Sequence, residues 1–305
     1  MTSIAMVGVG AIGGAVAAGL GDTGRRVTLC IRTPFERLER ELDGRVTTYD
    51  HPVLADPSRA TPADWLLICT KAHQTRAALP WFERLAGPRT RVAVMQNGVD
   101  HMDRIEPLFD GQPIVPAIIM LPAESTAPGC VRQGRAGTLI VPDESAGREF
   151  AHLFAGQDAV SVTLSDDFLS VAWSKLVHNA AGGAICALSL RENGVVAEPG
   201  MRELVLGLMR EVMQVGRAEG ANLSDELPQE IIHRHASHLR NHWTSIAVDR
   251  RDGKPMEWEA RNAIVGRVAR RHGIPTPLND AMTALLAAAD AALASRGPRG
   301  DGDDA

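Results

Sequence analysis

The chain has 305 residues, 45% of them hydrophobic and 23% charged, which is enough for two ordinary globular cores. A formal net charge of −5 at pH 7 excludes the basic footprint that nucleic-acid binding requires, although a local cluster of Lys and Arg can still receive a small anion. No stretch of roughly 18 apolar residues is free of charge, so no membrane-spanning helix and no membrane partner is expected.

The first predicted element is a buried strand, Ile4-Ala5-Met6-Val7. The chain then turns at Gly8-Val9-Gly10-Ala11-Ile12-Gly13-Gly14 into a small-residue helix, Ala15 to Leu20. In the pattern Gly8-x-Gly10-x-x-Gly13 the first glycine permits the tight turn. The second lets a pyrophosphate approach the backbone, and the third lets helix and strand pack closely. The phosphates would rest on the free N–H groups and positive end of the helix. A second strand, Arg26 to Ile31, ends at Arg32. Asp or Glu in that place would hold the ribose 2′-hydroxyl of NAD, whereas a cation pairs with the 2′-phosphate of NADP. A plain Gly-rich turn also satisfies the three glycines, but strand, turn, helix and strand in succession favour the dinucleotide reading. The same succession accounts for the apolar start, which lacks the basic beginning of an export signal, so a cytoplasmic location is expected. Cys30, Cys69, Cys130 and Cys186 are scattered without a CxxC pair, as buried free thiols rather than disulfides or a zinc site.

Further along come a strand over Trp65–Cys69, a helix from about Gln74 to Leu85, and strands over Arg91–Met95 and Ile114–Met120. Val131–Arg132 and Thr138–Val141 read as a hairpin pair, and Val160–Leu164 as a last strand. Short apolar strands alternating with helices predict an α/β, Rossmann-type doubly wound parallel sheet, with some antiparallel strands late. From Asp167 onward the pattern is all helical, over about 168–190, 199–219, 224–241, 254–272 and 278–293. Pro199, Pro228 and Pro277 suit first-turn positions and Gly220 and Gly273 suit helix ends. The expected organisation is a dinucleotide-binding domain over 1–166, a helical substrate domain over 167–293, and a disordered tail over 294–305.

Ligands of such a sheet bind beyond the carboxyl ends of its strands. Two loops fall there: Cys69-Thr70-Lys71-Ala72-His73-Gln74 and Met95-Gln96-Asn97-Gly98-Val99. Lys71 and Asn97 are therefore candidates to face cofactor or substrate, although a solvated loop residue has the same signature. In the first helix of the second half, Lys175 and Asn179 are four apart and share one face. That face continues in small residues and would adjoin a cleft between the domains. His235, His238 and His242 fall roughly on one face of a predicted helix, but no Cys or carboxylate completes a ligand set, so no metal is expected.

With these residues on view, the chain resembles the ketopantoate reductase family over residues 1–292. The likeness rests on Gly8-x-Gly10-Ala11-Ile12-Gly13, Arg32, Thr70-Lys71-Ala72, Gln96-Asn97-Gly98 and Trp173-x-Lys175-Leu176-x-x-Asn179. It continues in Ser245-x-x-x-Asp249, Met256-Glu257-Trp258-Glu259 and Gly273-Ile274-Pro275-Thr276-Pro277-x-Asn279. The resemblance implies reduction of a small 2-oxo acid to a 2-hydroxy acid by NADPH, in the family's case within pantothenate biosynthesis, and it admits a homodimer. It places catalysis on Lys175 with Glu257, and substrate binding on Asn97, Asn179, Gly183, Ser245 and Glu257. Cofactor contacts fall on Gly8, Gly10, Ala11, Ile12, Gly13, Arg32, Lys71, Gln74 and Asn97.

The chemistry of these residue types agrees. A positioned ammonium can stabilise the charge that develops on a carbonyl oxygen and deliver the proton. Asn179 can orient the lysine or the substrate, and Glu257 can bind a substrate hydroxyl or hold the ammonium. One departure stands out: the family carries a second asparagine one turn after Asn179, where this chain has Gly183. The lost amide is expected to open space and to disfavour ketopantoate itself. Two other readings fit a Rossmann-plus-helical chain, a 3-hydroxy acid or opine-type dehydrogenase and a non-catalytic NADP-sensing protein. The Trp-x-Lys-x-x-x-Asn segment discriminates against the first, and Lys175, Asn179 and Glu257 together discriminate against the second.

Overall fold

The computed structural model describes residues 2–296, and the chain divides into two compact units between Phe168 and Leu169. In chain order the first unit comprises β1 (Ile4–Val7), α1 (Ala11–Asp22), β2 (Val27–Cys30), β3 (Leu38–Leu42), β4 (Arg45–Tyr49), β5 (Val53–Leu54) and β6 (Trp65–Ile68). It continues with α2 (Leu79–Leu85), β7 (Arg91–Val94), α3 (His101–Ile105), β8 (Ile114–Pro116), β9 (Ile118–Met120) and β10 (Ala123–Ala127). It ends with β11 (Cys130–Gln133), β12 (Gly137–Pro142), α4 (Ser145–His152) and β13 (Val160–Ser165).

Six strands form a parallel sheet in the order β5-β2-β1-β6-β7-β8. All four residues of β1 and of β6 are buried, because helices cover both faces. Side chains alternate between two cores with the period of two that a strand imposes. Met6, Leu29 and Leu67 pack with the small residues of α1 and with Phe150. Val7, Leu66 and Val92 pack on the other face with Trp81, Phe82 and Leu85 of α2. The predicted doubly wound sheet is therefore present.

Two smaller sheets accompany it, in the orders β10-β11-β3-β4 and β13-β12-β9. The expected pairing of Val131–Arg132 with Thr138–Val141 does not form. β11 pairs antiparallel with β10 and parallel with β3, while β12 pairs parallel with β13 and antiparallel with β9. The parting occurs at the link between them. Gln133 Nε2 donates to the Arg135 and Ala159 carbonyls at 3.0 and 2.6 Å, and Gly134 N donates to Pro122 O. The strand expected over Ile114–Met120 is two strands in two sheets: Ala117 N makes the last bond to β7, at Val94 O, and Ile118–Met120 then pair with β12. The β3–β4 hairpin turns at Asp43-Gly44, both with positive φ, the geometry an Asp-Gly pair favours. The helix expected from Gln74 begins as two 3₁₀ turns, Ala72–Gln74 and Arg76–Ala78, before α2.

The second unit comprises α5 (Phe168–Ser189), α6 (Pro199–Ala218), α7 (Leu227–Ala236), α8 (Ser245–Arg251), α9 (Ile264–Arg271) and α10 (Pro277–Arg296). Most of α5 is buried, and its Ala180-Ala181-Gly182-Gly183-Ala184 run lets neighbours approach its backbone. The helix predicted over 224–241 spans only α7, which leaves His238 and His242 beyond its end and off any shared helix face.

The helix predicted over 254–272 is likewise broken. The chain stays non-helical to Trp258, makes a π-helical turn over Glu259–Ala263, and only then enters α9. Two anchors hold this shape. Asp290 of α10 accepts from Met256 N at 2.8 Å and Trp258 Nε1 at 3.4 Å, and buried Asn262 donates to Ala180 O of α5 at 2.8 Å. Because α10 continues to Arg296, residues 294–296 of the expected tail are helical, and 297–305 lie outside the described residues. Among the described residues no helix is long and apolar enough to cross a membrane. The cysteines are free thiols, Cys30 and Cys186 buried and Cys69 and Cys130 only partly so.

Candidate active site

The first unit supplies a dinucleotide cradle. Gly8 has φ +95°, and a Cβ there would stand 2.5 Å from Thr70 N; at Gly13 a Cβ would stand 2.0 Å from Gly8 O. Neither position accepts a side chain. Gly10 differs, because a Cβ on it would project into open space with no atom within 4 Å. That space fronts the start of α1, whose first residues are Ala11 and Ile12. The helix N-terminus has no side-chain cap and no acid in its first turn. Free N–H groups, a positive helix end and an unfilled approach suit a pyrophosphate. Gly8 N donates to Cys30 O at 3.4 Å, which ties the turn to the end of β2; exposed Arg32 follows two residues later.

The two loops singled out in the sequence are locked together by buried Gln96. Its Nε2 donates to Thr70 Oγ1 and Thr75 Oγ1, both at 3.0 Å. Its Oε1 accepts from Arg104 Nε at 3.2 Å, and Arg104 also donates to the Asn97 carbonyl at 3.2 Å while pairing with Asp100. Gln74, expected at the cofactor, turns its Oε1 to Lys71 N at 3.3 Å and so closes the turn that presents the lysine. Lys71 and Asn97 are half-buried. Arg104 was not foreseen; its spacing of four from Asp100 carried no chemical signal in the sequence.

In the second unit α5 presents half-buried Lys175 and Asn179 one turn apart, with buried Gly183 one turn further. Thr244 caps α8 by accepting from Ala247 N at 3.4 Å, which places Ser245 in its first turn and buried Asp249 one turn later. Buried Glu257 precedes the π turn. Within that turn lies a residue the sequence reading passed over. Arg261 is 3% exposed, and its Nη2 donates to Ser245 Oγ at 2.7 Å. Its Nε is buried with no hydrogen-bond partner. A Cβ on Gly183 would stand 3.3 Å from Arg261 Nη1 and 3.3 Å from Ile246 Cγ2. The guanidinium and the isoleucine therefore border the space expected beside Gly183, close enough that a Cβ there makes a tight contact with both. The signal available was an arginine four residues beyond Glu257, at one helical turn.

Electrostatics join these groups. Burial pushes the Lys175 ammonium down to about 7, the Arg261 charge pushes the same way, and Glu257 opposes them. Arg261 is itself lowered by burial, while Glu257 and Asp249 act to keep it charged. An ammonium that titrates near neutrality can hold a proton and release it to a developing oxyanion.

Behind α5, His235 seats its ring over Gly182, where a Cβ would stand 2.8 Å from His235 Cε1. It meets His178 edge-on with ring centroids 4.5 Å apart. Burial, followed by neighbouring positive charge, pushes His178 down to about 3 and His235 to about 4, so both are neutral at pH 7. Among the described residues no three His, Cys, Asp or Glu side chains gather as a metal site.

Comparison with known proteins gives a consistent likeness over both units. Residues 4–145 match the family described as Ketopantoate reductase PanE/ApbA, and residues 167–290 match its C-terminal counterpart. The chain is 41% identical over 290 residues to a 2-dehydropantoate 2-reductase of Caulobacter vibrioides, covering 95% of this chain and 99% of that protein. A 2-dehydropantoate 2-reductase of Mycobacterium tuberculosis is 38% identical over 290 residues, covering 94% and 98%. The crystal structure of a PanE/ApbA family ketopantoate reductase from Ralstonia eutropha JMP134 aligns with a TM-score of 0.87 at 29% identity, covering 96% of this chain and 99% of that one.

Proposed function

The chain belongs to the ketopantoate reductase family, and we propose that it uses NADPH to reduce a 2-oxo acid through Lys175 and Glu257. It is an oxidoreductase of the CH–OH group, and its first unit carries an NAD(P)-binding Rossmann fold. The observation that carries the mechanism is the placement of half-buried Lys175 one turn from Asn179 on α5, where burial and Arg261 bring its ammonium down to about 7 and Glu257 opposes them.

The glycine cradle, Lys71 and Asn97 would hold the dinucleotide, with Arg32 toward a 2′-phosphate. When bound there, NADPH would supply the hydride that the carbonyl carbon receives. Lys175 stabilises negative charge on the carbonyl oxygen and donates the proton that completes the hydroxyl. Asn179, one turn on, orients the ammonium or the substrate oxygen. Glu257 raises the fraction of Lys175 that is protonated near neutral pH and can accept from a substrate hydroxyl. Ser245 and Asn97 complete the set proposed to touch substrate.

The test is a panel of 2-oxo acids assayed by NADPH oxidation, with ketopantoate as reference. Saturable reduction of at least one member to its 2-hydroxy acid is expected. Absence of turnover across the panel, with NADPH still bound, would favour a non-catalytic dinucleotide-binding role.

A further inference from the structure

We propose that Arg261 receives a carboxylate of the substrate and so determines specificity, in the place where the side chain missing from Gly183 would otherwise reach; this rests on the 2-oxo acid reading above. Four observations converge. The guanidinium is almost wholly buried, a costly state for a cation without full hydrogen bonding. Nη2 donates to Ser245 Oγ, itself a proposed substrate contact, and Nε is buried with no hydrogen-bond partner among the described residues. Nη1 lies over Gly183, on the α5 face that carries Lys175 and Asn179. The Arg261 charge is felt at Lys175, so the two cations share one locality with Glu257 and Asp249.

A planar guanidinium with an unsatisfied Nε matches the two oxygens of a carboxylate better than any neutral group. In a 2-oxo acid the carboxylate is bonded directly to the carbonyl carbon. An ammonium at the carbonyl oxygen and a guanidinium beside it therefore suit the two ends of one functional group. A carboxylate at the far end of a 2-oxo dicarboxylic acid is the other source of the same chemistry. Gly183 makes either arrangement feasible, since any side chain there would crowd Nη1.

The experiment compares wild type, Arg261→Met and Arg261→Lys in NADPH-linked reduction of three compounds. These are a monocarboxylic 2-oxo acid, its primary amide, and the matching 2-oxo dicarboxylic acid. NADPH fluorescence titration confirms that each variant retains a folded first unit, and thermal unfolding reports on the whole chain. If Arg261 holds the carboxylate next to the carbonyl, Arg261→Met lowers kcat/KM for the monoacid by about 10- to 100-fold, mainly through KM, and leaves the amide nearly unchanged. If it holds a distal carboxylate, wild type prefers the dicarboxylic acid and Arg261→Met abolishes that preference. Arg261→Lys, which keeps charge without the planar fork, recovers part of either loss. It also reads the same ratios if the Met variant does not fold. Equal losses on acid and amide together with an unchanged dicarboxylate ratio would overturn the assignment. A wild-type enzyme that reduces none of the acids, tested beside ketopantoate, would instead overturn the functional reading on which it rests.

Discussion

Gly183 and Arg261 are complementary: a Cβ on the glycine would stand 3.3 Å from the Arg261 Nη1 atom. The chain thus replaces a neutral amide on α5, expected from the family pattern, with a cation delivered from the π turn. If Arg261 faces substrate as proposed, a charge stands where the family pattern has a neutral amide, while Lys175, Asn179 and Glu257 remain. On the proposed reading, the proton donor assigned to Lys175 is kept beside an altered recognition group, so the reaction stays the same and the choice of acid changes.

Lys175→Ala should lower kcat by at least ~10²-fold, the low end for loss of a general acid. NADPH affinity, measured by fluorescence, should stay near wild type, because the cradle lies wholly in the first unit. A variant with near-normal turnover would remove Lys175 from the mechanism.

The pH dependence follows from the direction of the Lys175 shift. Reduction needs the protonated ammonium, so kcat/KM should fall as pH rises through about 7. Glu257 raises the lysine and Arg261 lowers it. Glu257→Gln should therefore move the midpoint to lower pH, and Arg261→Met should move it to higher pH. Glu257→Ala should in addition weaken substrate affinity. Shifts in the same direction for the two charge-removing variants would contradict the electrostatic assignment.

Arg32→Ala should weaken NADPH binding far more than NADH binding, because only NADPH carries the 2′-phosphate that a cation at this strand end would pair with. The residue is exposed, so its replacement should leave thermal stability unchanged. Equal losses for both cofactors would show that Arg32 does not read the phosphate.

The buried His178–His235 pair should make stability acid-sensitive. Both groups have folded-state values below the ordinary 6.5, at about 3 and about 4, so between pH 6.5 and 4 the unfolded chain binds protons that the folded chain refuses. Their contribution is complete above pH 6.5 and is lost as pH falls. Urea unfolding at pH 7 and pH 5 should show a loss on acidification that is smaller in His235→Gln. An equal loss in that variant would mean that other groups govern the acid limb.

The opening βαβ unit was legible because its signals are local: glycine spacing and apolar runs act within a few residues of themselves. The Asp43-Gly44 hairpin carried an equally local signal that went unread. The partners of β11 and β12 were not legible, since two adjacent apolar runs pair as a hairpin unless distant strands compete, and β3 and β13 do. The π turn depends on Asp290 and on the Ala180 carbonyl, both far from it in sequence. Arg261 was missed for the same reason. Its burial depends on a glycine on another helix, and in isolation an arginine after Glu257-Trp258-Glu259 reads as a solvated face.

The glycine itself provides the sharpest substitution test. From the sequence alone Gly183→Asn promises a restored amide and ketopantoate turnover improved relative to bulkier oxo acids. The structure argues against that expectation for the single change, because a Cβ meets both Arg261 Nη1 and Ile246 Cγ2 at 3.3 Å, and one or both must shift to seat the larger side chain. Gly183→Asn alone should therefore reduce kcat/KM on every 2-oxo acid, by about 10-fold or more if the guanidinium loses one charged hydrogen bond to substrate. Arg261→Ala alone should lose carboxylate recognition. Combined, the two changes remove the obstruction and supply the amide, so the double variant should reduce ketopantoate better than either single variant does. Residues in contact are expected to be non-additive in this way. Steady-state kinetics of the four proteins on ketopantoate close the cycle, and simple additivity of the two losses would show that Gly183 and Arg261 do not share one recognition site.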